Sequence, residues 1–353
     1  DVVAAFRARG IAEPWEHQAV AADAAHHGQH VVMATGTASG KSLGYQLPAL
    51  SAVKAARGAR GRRGATVLYL APTKALAQDQ LAGLSALGVD LRVTTHDGDS
   101  SREQRDWARD HAEYVLTNPD MLHRSLLPGH ARWASFLGSL VYVVVDECHH
   151  YRGVFGAHVA HVLRRLRRVC AFYGAHPTFV LASATVAEPE AFAQRLTGLD
   201  TMAVTGDTSP RGEVSLVLWE PPFTSFTGEN GAPVRRAASS EAADLLADLV
   251  VEDVRTLAFV RSRRGAEQVA MTAAELLAEV DPSLPGRVAS YRGGYLPEER
   301  RAIEEQLRRG ELTGLAATNA LELGIDISGL DAVLMAGFPG TRAALWQQVG
   351  RAG

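Results

Sequence analysis

The segment Thr35-Gly-Thr-Ala-Ser-Gly-Lys-Ser42 packs two glycines, a lysine and four hydroxyls into eight residues. An apolar run, residues 30–33, precedes it, and residues 43–54 follow with helical periodicity. In a strand–loop–helix unit of this kind, backbone N–H groups and the helix dipole converge on an anion. Thr35, Gly36, Thr37, Ala38, Ser39 and Gly40 would wrap the phosphates of ATP. Lys41 would act as a point charge on the β and γ groups, and Ser42 as a ligand of Mg²⁺. Thr35 departs from the general Gly-x-x-x-x-Gly-Lys-Ser/Thr pattern, because it stands where that pattern has its first glycine.

A second segment, Val141-Tyr-Val-Val-Val-Asp-Glu-Cys-His149, is an apolar run that ends in adjacent carboxylates. In open α/β sheets ligands collect at such strand ends. Asp146 is suited to hold Mg²⁺, and Glu147 to orient and deprotonate an attacking water. Two carboxylates at a strand end say little alone, but together with the Lys41 loop they specify phosphoanhydride hydrolysis. His149 lies where it could link that chemistry to a neighbouring element. His149, His150, His158 and His161 lack a carboxylate or thiol set to complete a metal site, so hydrogen-bonding and helix-surface roles explain them better. Upstream, within Pro14-Trp-Glu-His-Gln18, the Gln18 amide offers a donor and an acceptor to an adenine edge, and Trp15 offers a face for stacking. A core Trp beside a surface Gln is the plainer alternative.

The elements that must position these groups follow from the apolar pattern. Short β-branched runs recur at 30–33, 66–70, 141–145, 178–181, 256–260, 315–318 and 332–335, separated by helical stretches. Continuous apolar runs suit strands buried on both faces, and alternation with helices implies parallel sheets. The expected fold is α/β, with two doubly wound parallel-sheet domains. With 353 residues, 46% of them hydrophobic, the chain exceeds what a single core usually holds, roughly 250–300 residues. Pro210, Pro221, Pro222 and Pro233 break the rhythm, so the expected division is 1–205, a linker 206–240, and 241–353.

No run reaches the roughly 18 apolar residues of a membrane span, and no signal-peptide pattern opens the chain. Two cysteines, Cys148 and Cys170, supply neither a disulfide framework nor a zinc site. The expectation is a soluble, intracellular protein of a reducing cytoplasm. A net charge of −3 confines any surface for a polyanion to local patches. The arginine-rich loop 54–64 and the run Arg164, Arg165, Arg167, Arg168 are candidates, but both read first as solvated surface.

With these residues in place the chain resembles the DEAD/DEAH-type superfamily two helicases along nearly its whole length. Pro72-Thr-Lys-Ala-Leu-Ala-Gln78 and Thr117-Asn-Pro-Asp120 are similar to motifs Ia and Ib. Asp146-Glu-Cys-His149 is similar to motif II in its DExH form, and Ser183-Ala-Thr185 to motif III. Phe259-Val-Arg-Ser262, Thr318-Asn-Ala-Leu-Glu-Leu-Gly-Ile-Asp326 and Gln347-Gln-Val-Gly-Arg-Ala-Gly353 resemble motifs IV, V and VI. The resemblance implies two RecA-like domains, the second cut before motif VI finishes. It also implies ATP contacts at Gly324 and Asp326, an arginine finger at Arg351, and coupling roles for His149, Ser183, Thr185 and Gln347. Nucleic-acid contacts are expected at Thr73, Lys74, Thr117, Arg261, Ser262 and Thr318.

More narrowly, Ala34-Thr-Gly-Thr-Ala-Ser-Gly-Lys-Ser42, His96-Asp-Gly-Asp99 and Cys148-His-His-Tyr-Arg-Gly-Val-Phe-Gly156 resemble the MrfA (YprA) group of bacterial DNA-repair helicases, itself similar to fungal RecQ-four-like helicases. That resemblance implies 3′-to-5′ translocation on single-stranded DNA and duplex unwinding, in repair of crosslinks or bulky adducts, by a protein of the bacterial cytoplasm that is nucleoid-associated when active. It also implies a zinc-binding C-terminal domain, which nothing in this chain represents, so the chain reads as a fragment. The motifs themselves leave open a DExH-type RNA helicase, because they read backbone. A nucleotide-switched clamp that remodels without unwinding also stays open.

Overall fold

The computed structural model describes residues 2–57, 63–210, 212–318 and 329–352. The chain divides into two compact units, Asp1–Ser209 and Pro210–Gly353.

The first unit holds seven strands: β1 (Val31–Ala34), β2 (Thr66–Leu70), β3 (Val93–Thr95), β4 (Tyr114–Thr117), β5 (Leu140–Val145), β6 (Thr178–Ser183) and β7 (Met202–Val204). They form one sheet in the order β3-β4-β2-β5-β6-β1-β7, and every pairing is parallel. The apolar runs are continuous because helices cover both faces. Within β5, Val143 and Val145 pack with Leu163 and Leu166 of the helix Gly153–Phe172. Tyr142 and Val144 point the other way, toward Leu50 and Val53 of the helix Ser42–Ala55. Each fully buried Val or Leu contributes roughly 1.5–3 kcal/mol, so the central strands carry much of the cohesion.

Register then brings the chemical groups to one edge. Ala34 pairs with Ser183, Val145 with Leu181, and Leu70 with Val145. Thr35, Ala71, Asp146 and Ala184, each one residue past its strand, therefore meet at the carboxyl edge of the sheet. Gly44 allows the helix after the loop to lie close on β1, since a Cβ there would stand 2.6 Å from the Met33 sulfur.

The second unit contains an exposed antiparallel hairpin, β8 (Phe223–Thr227) with β9 (Pro233–Arg235). Four further strands are β10 (Thr256–Phe259), β11 (Val288–Tyr291), β12 (Gly314–Ala317) and β13 (Ala332–Met335). They form a parallel sheet in the order β11-β12-β10-β13. Val250 of the helix Ala238–Val251 and Val269 of the helix Arg263–Val280 pack with Ala258 and Ala316 on one face. Leu257, Leu315 and Leu307 build the other. The compact units part four residues beyond the expected 205/206 boundary, and the proline-rich stretch expected to be linker houses the hairpin. Among the described residues no helix is long and apolar enough to cross a membrane.

Candidate nucleotide site

The loop after β1 is held by its own hydroxyls. Thr35 Oγ1 lies 2.7 Å from Ser39 Oγ, and Ser39 Oγ donates to the Gly36 carbonyl at 2.8 Å. Thr35 thus does something a glycine could not, because its hydroxyl staples the two sides of the loop. Ala38 and Gly40 take left-handed conformations, φ 57° and 64°. A Cβ at Gly40 would meet Gln18 Nε2 at 2.4 Å, so only glycine leaves room for that amide. Lys41 Nζ donates to the carbonyls of Gly36 at 2.5 Å and Thr35 at 3.3 Å, which turns the ammonium into the loop where phosphate oxygens would lie.

Gln18 is buried, and both ends of its amide serve backbone. Oε1 accepts from Trp15 N at 2.9 Å, while Nε2 donates to the Gly40 carbonyl at 3.0 Å. The structure thus sets the amide expected at an adenine edge against the phosphate loop. Three residues that sequence reasoning missed brace the same loop. Buried His17 places Nε2 2.7 Å from the Ser39 carbonyl and Nδ1 3.0 Å from Thr208 Oγ1. Asp207 Oδ2 accepts from Gly36 N at 3.1 Å. No local pattern marks Asp207 or Thr208, which reach the loop only because β7 lies beside β1.

At the end of β5, Asp146 is buried, and Tyr69 Oη donates to its Oδ2 at 2.6 Å. The Tyr45 hydroxyl stands 3.0 Å from the same oxygen, 3.1 Å from Ser42 Oγ and 3.2 Å from Gln80 Oε1, so its one proton is shared among several acceptors. Burial, then the adjacent Glu147 charge, push the Asp146 carboxyl above its ordinary value, against hydrogen bonds from Tyr69, the Glu147 amide and Tyr45. Burial and the Asp146 charge hold both tyrosines firmly protonated as donors. Ser42 and Asp146 therefore lie one hydroxyl apart, both offering hard oxygen. That donor set fits Mg²⁺, which takes one or two protein oxygens and completes its octahedron with water and phosphate. Among the described residues no group of three His, Cys, Asp or Glu forms an all-protein metal cage.

Glu147 has φ 46°, ψ 40°, a left-handed conformation that costs a non-glycine residue roughly 1–3 kcal/mol. The turn points the side chain away from the strand direction, and Glu147 N donates to Asp146 Oδ1 at 2.8 Å. His149 follows in a short 3₁₀ turn, and its Nδ1 accepts from Ala184 N at 3.1 Å. Glu147 Oε2 lies 3.2 Å from that same nitrogen. The amide fixes a lone pair on Nδ1, so the carboxylate contact reflects close packing rather than an ion pair. Ser183 is buried with its hydroxyl donated to the Ala184 carbonyl at 2.7 Å, while Thr185 is exposed.

The expected nucleic-acid residues divide. Thr73 caps the helix Lys74–Ala86, and Lys74 pairs with Asp99 at 2.8 Å. Thr117 requires correction: it is buried, and its hydroxyl donates to the His96 carbonyl at 2.5 Å, so its side chain faces protein. In the second unit Arg261 is exposed and shares a cavity of about 200 Å³ with Gln348. Ser262 caps the helix Arg263–Val280 by accepting from Gly265 N at 2.9 Å. Thr318 and Gln347 are buried, and Arg351 is half-buried. Gly324 and Asp326 lie outside the described residues.

Residues 15–192 match the model of the DEAD/DEAH box helicase family, and residues 241–353 that of the helicase conserved C-terminal domain. The chain is 42% identical over its whole length to the ATP-dependent helicase YprA of Bacillus subtilis, covering 46% of that protein. It is 39% identical over 99% of its length to the ATP-dependent helicase hrq1 of Schizosaccharomyces pombe, covering 33%. The crystal structure of the DUF1998 helicase MrfA bound to DNA and AMPPNP superposes with a TM-score of 0.91 at 42% identity, over all of this chain and 48% of that one. The chain thus spans between a third and a half of each of these three proteins.

Proposed function

The chain belongs to the DEAD/DEAH box helicase family, and from that premise we propose that it is the motor of an ATP-driven DNA translocase and helicase. The observation that carries the reading is the convergence of Lys41, Ser42, Asp146 and Glu147 at one sheet edge, with Ser42 and Asp146 sharing the Tyr45 hydroxyl. Support for DNA comes from MrfA, whose structure holds DNA and AMPPNP. The DNA-repair role, the 3′-to-5′ direction and a soluble bacterial setting follow the same resemblance.

In the proposed mechanism Lys41 leaves the Gly36 and Thr35 carbonyls for the β and γ phosphates of ATP. Ser42 and Asp146 would hold Mg²⁺, which when bound would supply positive charge to neutralise the phosphates. Glu147, aimed by its left-handed turn, takes the proton of the attacking water. His149 ties the Glu147 turn to Ala184, so a change at the carboxylates is felt in the Ser183–Thr185 segment. Arg351 is proposed as the cation that stabilises the transition state, a role worth about 10³ to 10⁵ in rate in related phosphoryl transfers.

Stimulation of ATP hydrolysis by DNA and RNA strands of matched sequence tests the reading. DNA is expected to stimulate more strongly. Equal or greater stimulation by RNA would replace it with the RNA-helicase reading, and no stimulation by either would refute both.

A further inference from the structure

The arginine run on the helix Gly153–Phe172 does two different jobs. Arg164 donates to the carbonyls of Arg195 and Leu196, and Arg167 to those of Thr197 and Gly198, so this pair caps the C-terminal end of the helix Pro189–Thr197. Arg165 and Arg168 point elsewhere. With His158 and His161 they occupy positions three and four apart, one stripe of a helix whose Val159, Leu163 and Leu166 fill the core.

That stripe forms one wall of a cleft of about 480 Å³. The opposite wall is the π-helical turn Leu122–Leu126, which contributes His123 and Arg124. Such turns are rare and cluster at functional sites. Four arginines line this cleft, Arg124, Arg164, Arg165 and Arg168. Arg164 is held by the carbonyls named above, while among the described residues no hydrogen bond or ion pair engages Arg124, Arg165 or Arg168. One carboxylate, Asp120, also lines it. At the mouth Phe155 is 47% exposed, an aromatic face next to a cationic wall. Cations that track a backbone beside an exposed ring are how proteins hold single strands. Pro119 and Asp120, at the end of the Thr117–Asp120 segment, also line the cleft.

We infer that this cleft is a second nucleic-acid contact, taking the phosphates of a DNA strand on Arg124, Arg165 and Arg168 and a base on Phe155. The inference rests on the DNA-translocase reading, and it gives the arginine run a role that the family motifs do not.

The test compares the parent chain with Arg165→Gln/Arg168→Gln and with Arg165→Lys/Arg168→Lys, using affinity for a 3′-tailed DNA duplex across a salt series. The Gln pair is expected to bind about tenfold more weakly at low salt, with a log–log salt slope shallower by about 1.4, two phosphates at roughly 0.7 each. The Lys pair, which keeps the charge, is expected to bind like the parent. ATP turnover at saturating DNA should be unchanged in both. Parent-like affinity and slope in the Gln pair would overturn the inference. So would equal loss in the Lys pair, because the effect would then be one of fold rather than charge. A parent whose ATP hydrolysis ignores DNA would instead refute the proposed function, a result read without either variant.

Discussion

His149 Nδ1 accepts the backbone N–H of Ala184 at 3.1 Å, joining the turn after β5 to the segment after β6. Replacing His149 by Ala strands a buried amide, which costs about 1–3 kcal/mol. Thermal denaturation should register that loss. In the proposed motor the same change should reduce DNA stimulation of ATP hydrolysis while nucleotide affinity holds. A fall in nucleotide affinity alone would count against a linking role.

Asp207 places a carboxylate on the Gly36 amide, beside the site proposed for a triphosphate. Asp207→Asn keeps an acceptor for that N–H and removes the charge. ATP affinity should rise by roughly two- to tenfold at low salt, and the gain should shrink as salt screens the field. Isothermal titration at two ionic strengths would check this, and weaker binding would show that the carboxylate serves the loop rather than opposing the ligand.

Glu113 is buried between Arg57 and Arg92, with Arg92 Nη2 3.0 Å from its carboxylate. Burial alone would raise its carboxyl, but hydrogen bonds from the two arginines overcome that and hold it down at about 2. An unfolded glutamate titrates near about 4.3, so the stabilisation is complete above that value and disappears as pH falls toward 2. It amounts to about 3 kcal/mol at neutral pH. Glu113→Gln should therefore lower the melting temperature at pH 7, and the difference from the parent should shrink below about pH 4 and close toward about pH 2. A difference independent of pH would contradict the assignment.

Arg164 and Arg167 supply donors to the last carbonyls of the helix Pro189–Thr197. Their joint replacement by Ala should cost roughly 1–2 kcal/mol in urea denaturation. The neighbouring Gln pair at 165 and 168 should unfold like the parent. Equal destabilisation by both pairs would erase the division of labour along this helix.

Much of this was legible in the sequence where chemistry is local. The runs that became β2, β5 and β6 are mostly apolar because both sheet faces are covered there, and Lys41, Ser42, Asp146 and Glu147 sit in motifs contiguous with their strands. Edge strands were not legible: β3 and β7 are three residues long, and β3 is only half-buried. Tyr45 and Tyr69 converge on Asp146 through the β2–β5 register and a helix face, relations that no local window contains. Thr117 looked like a phosphate contact by type and position, yet β4 turns its hydroxyl inward. The arginine run read as one solvated face, but its members alternate between two neighbours because a helix places i and i+1 about 100° apart.

The central claim is that Glu147 is the base of an ATP hydrolysis that DNA stimulates. The most direct measurement is DNA-stimulated ATP turnover of the parent and of Glu147→Gln, with nucleotide affinity measured on both. Turnover in the variant should fall by about two to four orders of magnitude, the usual contribution of a positioned general base, while ATP still binds. Full DNA-stimulated turnover in Glu147→Gln would contradict the account.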